Sequence, residues 1–275
     1  MADAPTPRAR YRDPLTATLA LLLAASTGAA VARVDRAGDP MRRCQAVGAD
    51  AMMGPVTGPL LAEYYEAFLL DRDLALFRER VDARYAEETL CRVLELSPYT
   101  SARRGAVLAL GVMGSFDGCN VMLGRALRDD DAVVRTMAER ALWVVWFRAD
   151  TPDNNRDLEE VRALVSAGAL DEAIERAGRL IARSPKFAEA YNQRAIAYFK
   201  QRRFAESAED CIKTLTLNPV HVGALGGLAQ CQVELNQPRE ALKTLRRSLK
   251  LQPHSEGLNE HIRMLEAGLE SDGPR

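Results

Sequence analysis

Apolar residues along most of this chain recur at steps of three and four rather than in alternation, which is the helical period. Leu74, Phe77, Val81 and Tyr85 are one such series. The pattern predicts helices over Leu60–Leu70, Asp73–Tyr85 and Glu87–Ser97, the last with acidic residues in its first turn and Pro98 at its end. Three more are predicted over Ser101–Gly114, Asn120–Arg128 and Ala132–Trp143, with Asp129-Asp130-Asp131 as the turn before the third. The run Leu142–Phe147 (LWVVWF) holds both tryptophans and has no polar face, so it is expected to be a buried helix end; an exposed partner patch is the competing reading. Thr151–Arg156 (TPDNNR) is a polar turn and marks a boundary.

Beyond that boundary the pattern repeats. Pro185, Pro219 and Pro253 follow one another at 34 residues (219−185, 253−219). A fixed period of this size is the mark of stacked helix-turn-helix units, hence of a solenoid. The clearest unit is AEAYNQRAIAYFKQRRFAESAEDCIKTLTLNP, from Ala188 to Pro219. The units run 154–187, 188–221 and 222–255, and a cap helix over 256–270 faces Leu258, Ile262 and Leu265 inward. The expected fold is therefore all-α. Segments 1–14 and 271–275 are read as disordered, 15–59 as an apolar helix with a Gly/Pro-rich connection, 60–150 as a helical repeat domain, and 151–270 as the solenoid.

The 34-residue units resemble the tetratricopeptide repeat family. Tyr191, Ala195, Tyr198, Phe204 and Pro219 stand at its aromatic, small and proline positions, as do Leu225, Leu228, Ala229, Ala241, Leu245, Ser248 and Pro253 one unit later. The unit from Asn154 keeps Leu164, Ala173, Ala177 and Pro185 but has Asp157 in place of an aromatic. Arg194 and Gln232 are further departures, and Ser207, Cys211 and Thr214 occupy small or apolar sites. Ser101–Phe147 is similar to the short bacterial HEAT repeat, since Arg103, Ala106, Ala109 and Leu110 return 32 residues later as Arg135, Ala138, Ala141 and Leu142.

Composition narrows the function. A formal charge of −1 lacks the basic surplus of a general nucleic-acid binder. Five cysteines, none in a CxxC pair, read as reduced thiols in a cytoplasmic protein. Leu15–Ala32 leaves two readings open: a packed helix opened by Asp13-Pro14, or a secretory signal ending at Ala30-Val31-Ala32. It is too interrupted to span a membrane comfortably. No P-loop, dinucleotide fingerprint, HExxH or nucleophile elbow is present, so no enzyme, cofactor or metal is expected. His221 and His254 fall in inter-unit turns and His261 on the cap helix, without a cluster to join.

The resemblance implies a concave groove lined by the first helix of each unit. Its residues here would be Leu158, Arg162 and Val165, then Asn192, Ile196, Phe199 and Lys200, then Gly223, Gly226, Gln230, Val233 and Glu234. Ile196, Phe199 and Val233 would supply apolar contact, and Asn192 and Gln230 could pair with a peptide backbone. Gly223, Gly227 and Gln193 stand where some members clamp a terminal carboxylate with basic and amide side chains, which argues against that specialisation. The expected function is a non-enzymatic adaptor or scaffold binding a protein or peptide. The alternatives are a HEAT-type lyase or cofactor-handling accessory protein, and an exported assembly factor if 1–32 is cleaved.

Overall fold

The computed structural model describes residues 59–271, and every regular element among them is an α-helix. The expectations for 1–14, for Leu15–Ala32, for Cys44 and for 272–275 lie outside the described residues. The chain forms two compact units, one ending at Met113 and the next starting at Gly114.

The first unit contains α1 (Pro59–Asp71), α2 (Leu74–Asp82), α3 (Glu87–Leu96) and α4 (Thr100–Met113). Helix α4 packs against the other three. Its small residues permit close approach to α1, and a Cβ at Gly105 would come within 3.0 Å of the Leu61 carbonyl and 3.1 Å of the Tyr65 Cβ. Asp73 caps α2 by accepting from the Leu76 amide at 2.9 Å. The Phe68 and Phe77 rings close the α1–α2 corner at 5.7 Å.

The second unit runs through α5 (Phe116–Ala126), α6 (Ala132–Phe147), α7 (Pro152–Ala167), α8 (Leu170–Arg183), α9 (Ala188–Lys200), α10 (Phe204–Leu217), α11 (Val222–Glu234), α12 (Pro238–Leu251) and α13 (Glu256–Ser271). Ser115, Asp131 and Thr151 cap α5, α6 and α7 through their side chains. The turn aspartate Asp131 therefore does what the sequence pattern implied, accepting from the Val134 amide at 2.9 Å. From α7 onward each helix packs on the next, and α9 also touches α7 and α11, as stacked pairs require.

The 34-residue period reappears in the backbone. Gly168, Arg202 and Asn236 end the first helices of successive pairs, each with φ near +60 to +80° (79°, 61° and 57°). The core follows the same period. Val161, Val165, Ala173 and Ala177 fill the first pair; Ala195, Cys211, Leu215, Leu225 and Leu228 fill the next junction; Ala229, Leu245 and Ile262 fill the last. The apolar run of α6 is buried as expected at Leu142, Val145 and Trp146.

Positions that depart from the repeat pattern carry polar substitutes for packing. Asp157 stands where an aromatic is usual, and it binds Arg176 at 3.1 Å and Arg183, tying α7 to α8. Arg194 stands for a leucine and grips Asp210 with two bonds of 2.7 and 2.8 Å, tying α9 to α10. The Asp210 bond holds the guanidinium above its ordinary pKa against the opposing effect of burial. The Ser207 hydroxyl donates to the Ala195 carbonyl at 2.8 Å, and the Thr244 hydroxyl to Gln232 at 2.7 Å. Cys91, Cys119, Cys211 and Cys231 are buried thiols. Hydrogen bonding to Cys231, then burial, pushes the Cys211 thiol up, so it is an inert core group.

Two predictions follow from the turns. A Cβ at Gly168 would meet no neighbour, so Gly168→Ala is penalised by its positive φ alone. It should lower unfolding free energy by about 1 kcal/mol in urea titration, and an unchanged midpoint would contradict the assigned turn. The second concerns the α6–α7 link. Burial raises the Asp150 carboxyl, but bonds from Ser184, the Thr151 amide and Asn154 outweigh it and leave the pKa below its ordinary 3.8. A depressed folded pKa means that its stabilisation is complete above that value and is lost as pH falls through the folded pKa. Stability should therefore fall more steeply below about pH 4 in the native chain than in Asp150→Asn, measured by urea unfolding at stepped pH.

Candidate functional site

The groove residues expected from the sequence separate into two groups. Ile196, Phe199 and Lys200 lie on α9, Gln230, Val233 and Glu234 on α11, and Arg162 on α7, and α9 packs against both α7 and α11. Gln230, Val233 and Glu234 are exposed, and Val233 shows 46% of its surface to solvent. Phe199 is half-buried, its ring held 5.3 Å from Phe204 across the α9–α10 turn. Ile196 is half-buried against Val161, Val165 and Ala197. Lys200 is exposed, and its Nζ donates to the Val165 carbonyl at 3.0 Å, which bridges α9 to α7. Arg162 is exposed, pairs with Glu159 at 2.7 Å and lies 5.7 Å from the Phe147 ring centroid.

Asn192 is not among them. It is 3% exposed, and its Nδ2 donates to Glu189 Oε1 at 2.9 Å. Leu158 and Val165 are likewise core residues. The reason is a buried polar network at the N-terminal turns of α9 and α11. Glu189 accepts from Asn192 Nδ2 and from Gln193 Nε2 at 2.7 Å on one oxygen, and binds His221 Nε2 at 2.8 Å with the other. His221 Nδ1 accepts from the Ala224 amide at 3.0 Å and so caps α11. That bond leaves the ring proton on Nε2, which therefore donates to Glu189. Both side chains are wholly buried.

Aromatic residues of α6 cover this network. The Trp146 ring stacks on His221 with centroids 3.9 Å apart, and Trp143 meets the same imidazole edge-on at 5.5 Å. Trp143 also lies over Gly223, where a Cβ would come within 2.6 Å of its ring. Helix α5 joins from the other side. Trp146 Nε1 donates to Asn120 Oδ1 at 2.7 Å, and Asn120 Nδ2 donates to Asn218 Oδ1 at 3.0 Å. A Cβ at Gly124, one turn along α5, would lie 3.1 Å from Val220. The α5–α6 pair is thus fastened to the 218–221 turn and to the starts of α9 and α11.

Sequence reasoning placed His221 in an ordinary turn and passed over Glu189. A signal was available: Glu189, Asn192 and Gln193 sit at i, i+3 and i+4 on one helix face, a polar cluster inside an otherwise apolar repeat. The network's histidine and carboxylate have no exposed surface. Among the described residues, no group of three or more His, Cys, Asp or Glu is arranged to hold a metal ion, and no helix is long and apolar enough to cross a membrane.

Comparison with known proteins finds a family model and several similar chains. A family model described as anaphase-promoting complex, cyclosome, subunit 3 matches residues 166–248. A TPR repeat-containing protein of Rhizobium etli is 31% identical over 111 residues, covering 40% of this chain and 51% of that protein. Sperm-associated antigen 1 of Mus musculus is 31% identical over 120 residues, covering 44% of this chain and 13% of its own length. This chain therefore spans about half of the first relative and a small part of the second. Among solved structures, the first TPR of Spaghetti (RPAP3) bound to an HSP90 peptide aligns at 25% identity with a TM-score of 0.42, over 44% of this chain and 96% of that one.

Removing the Glu189 carboxylate would leave donors of His221, Asn192 and Gln193 buried without an acceptor. Glu189→Ala should cost about 3 kcal/mol in urea unfolding and shift tryptophan emission as α6 loosens. Native-like stability with unchanged emission would show that the network does not hold α6.

Proposed function

We propose that this chain, whose C-terminal half is built of tetratricopeptide repeats, is a non-enzymatic adaptor or scaffold that binds a peptide segment of another protein. The observation that carries this is the strip formed by three successive first helices. Apolar side chains with exposed surface (Ile196, Phe199, Val233) alternate there with groups able to pair with a peptide (Arg162, Lys200, Gln230, Glu234). Solenoids of this kind present extended concave surfaces, and such surfaces take segments rather than small substrates. The absence of G-x-x-x-x-G-K-[ST], H-E-x-x-H and G-x-S-x-G from the sequence fits binding rather than catalysis. A terminal-carboxylate clamp is disfavoured on physical grounds. Gly223 is covered by Trp143, Gly227 faces the Cys211 sulfur at 3.3 Å from a built Cβ, and Gln193 is engaged by Glu189.

The test is affinity purification with a photo-crosslinking residue at Gln230, comparing the native chain with Phe199→Ala. Crosslinks should map to one linear segment of a partner, and Phe199→Ala should weaken its retention roughly tenfold. An identical set of bound proteins and crosslinks in the variant would show that the strip is not the binding surface.

A further inference from the structure

Two buried cysteines meet across the α10–α11 junction, Cys211 on α10 and Cys231 on α11. A Cβ built at Gly227 would stand 3.3 Å from the Cys211 sulfur, so that sulfur points at α11. Cys231 follows Gly227 by four residues and shares its face of the helix. From the other side, the Cys231 thiol donates to the Ser207 hydroxyl at 3.2 Å, and Ser207 lies one turn before Cys211 on α10. The two sulfurs are themselves hydrogen-bonded. One turn of each helix thus forms a closed patch, Ser207 and Cys211 against Gly227 and Cys231. One unit later, Ala241 and Leu245 occupy the places of Ser207 and Cys211 (241−207 and 245−211 both give 34) and are buried. Packing at these two places therefore does not require a hydroxyl or a thiol.

The two thiols are not equivalent. The bond from Cys211 lowers the Cys231 thiol below its ordinary range against the opposing effect of burial, whereas Cys211 is held protonated. Cys231 also lies in the last turn of α11, where the Leu235 amide bonds to its carbonyl at 2.9 Å. Helix ends open first, and this one opens onto Cys231. We infer that Cys211 and Cys231 are a redox pair that hydrogen peroxide converts into a disulfide joining α10 to α11. The Cys231 thiolate attacks one peroxide oxygen and the O–O bond breaks. The departing hydroxide leaves as water with the proton that Cys231 gave up, and Cys231 becomes a sulfenic acid. Cys211, inert toward peroxide while protonated, is the resolving thiol. Its sulfur attacks the sulfenic sulfur, the S–O bond breaks, and hydroxide leaves as a second water with the Cys211 proton. Two electrons pass from the sulfurs to the peroxide.

Peptide mapping of the full chain after hydrogen peroxide treatment tests this. Non-reducing digestion should yield one linked pair of peptides, carrying Cys211 and Cys231. The pair should be lighter by two hydrogens than the separate peptides and should come apart in dithiothreitol. Circular dichroism of the oxidised chain should keep the native helical signal, and its urea midpoint should rise above that of the reduced chain. In Cys211→Ser, dimedone should trap a sulfenic acid at Cys231; in Cys231→Ser it should trap none at Cys211. A link through Cys44, Cys91 or Cys119 instead, or a Cys211–Cys231 link that forms only in urea, would overturn the inference. So would over-oxidised Cys231 without a link, or thiols that peroxide leaves untouched in the folded chain. The mapping needs no substitution, so it decides the matter even where a variant fails to fold.

Discussion

The buried bond between Glu189 and His221 is the constraint on which the rest of the second compact unit depends. A carboxylate removed from water must be met by donors, and this one is met by three side chains. The three donors fix two parts of the molecule. Asn192 and Gln193 hold the first turns of α9, and His221 holds the 218–221 turn and caps α11. The imidazole then gives Trp146 a flat face to stack on, and Trp146 hands its indole proton to Asn120, which reaches back to Asn218. The contacts run from Glu189 through His221 and Trp146 to Asn120 and back to the 218–221 turn, so loss of a hydrogen-bonded member leaves buried polar atoms unpaired.

The same constraint shapes the exposed surface. Asn192 would have offered an amide to a bound peptide, but it serves Glu189 instead. Trp143 fits over the stack only because residue 223 is glycine. The surface left open lies further along the first helices, where the side chains are longer and half-exposed. Elsewhere in the stack, polar pairs stand in for missing repeat residues. Asp157 with Arg176 and Arg183, and Arg194 with Asp210, join first and second helices where larger members of the repeat would use packing alone. Such pairs are directional and specify register, whereas apolar contacts tolerate sliding.

Much of the architecture was legible in the sequence because it rests on periodicity. The prolines, small residues and apolar steps are local signals, and they set the helix limits to within a few residues. The αL turns at Gly168, Arg202 and Asn236 obey the same period but use three different residue types, so only the backbone displays it. The candidate site was legible only in part. Register places Ile196, Phe199 and Lys200 on one first helix and Gln230, Val233 and Glu234 on the next. It could not reveal that Asn192 is buried, because the cause lies 32 residues away at His221 and on α6 rather than in the unit itself. The missing information is a long-range contact, which no local spacing encodes.

The tautomer of His221 is the most direct measure of this arrangement. Imidazole ¹⁵N chemical shifts in histidine-labelled protein report which ring nitrogen carries the proton. With Nδ1 accepting from the Ala224 amide and Nε2 donating to Glu189, His221 should give one fixed tautomer with a protonated Nε2 and a bare Nδ1, slow to exchange with solvent. Averaged shifts of a ring alternating between tautomers, as in a solvated turn, would contradict it.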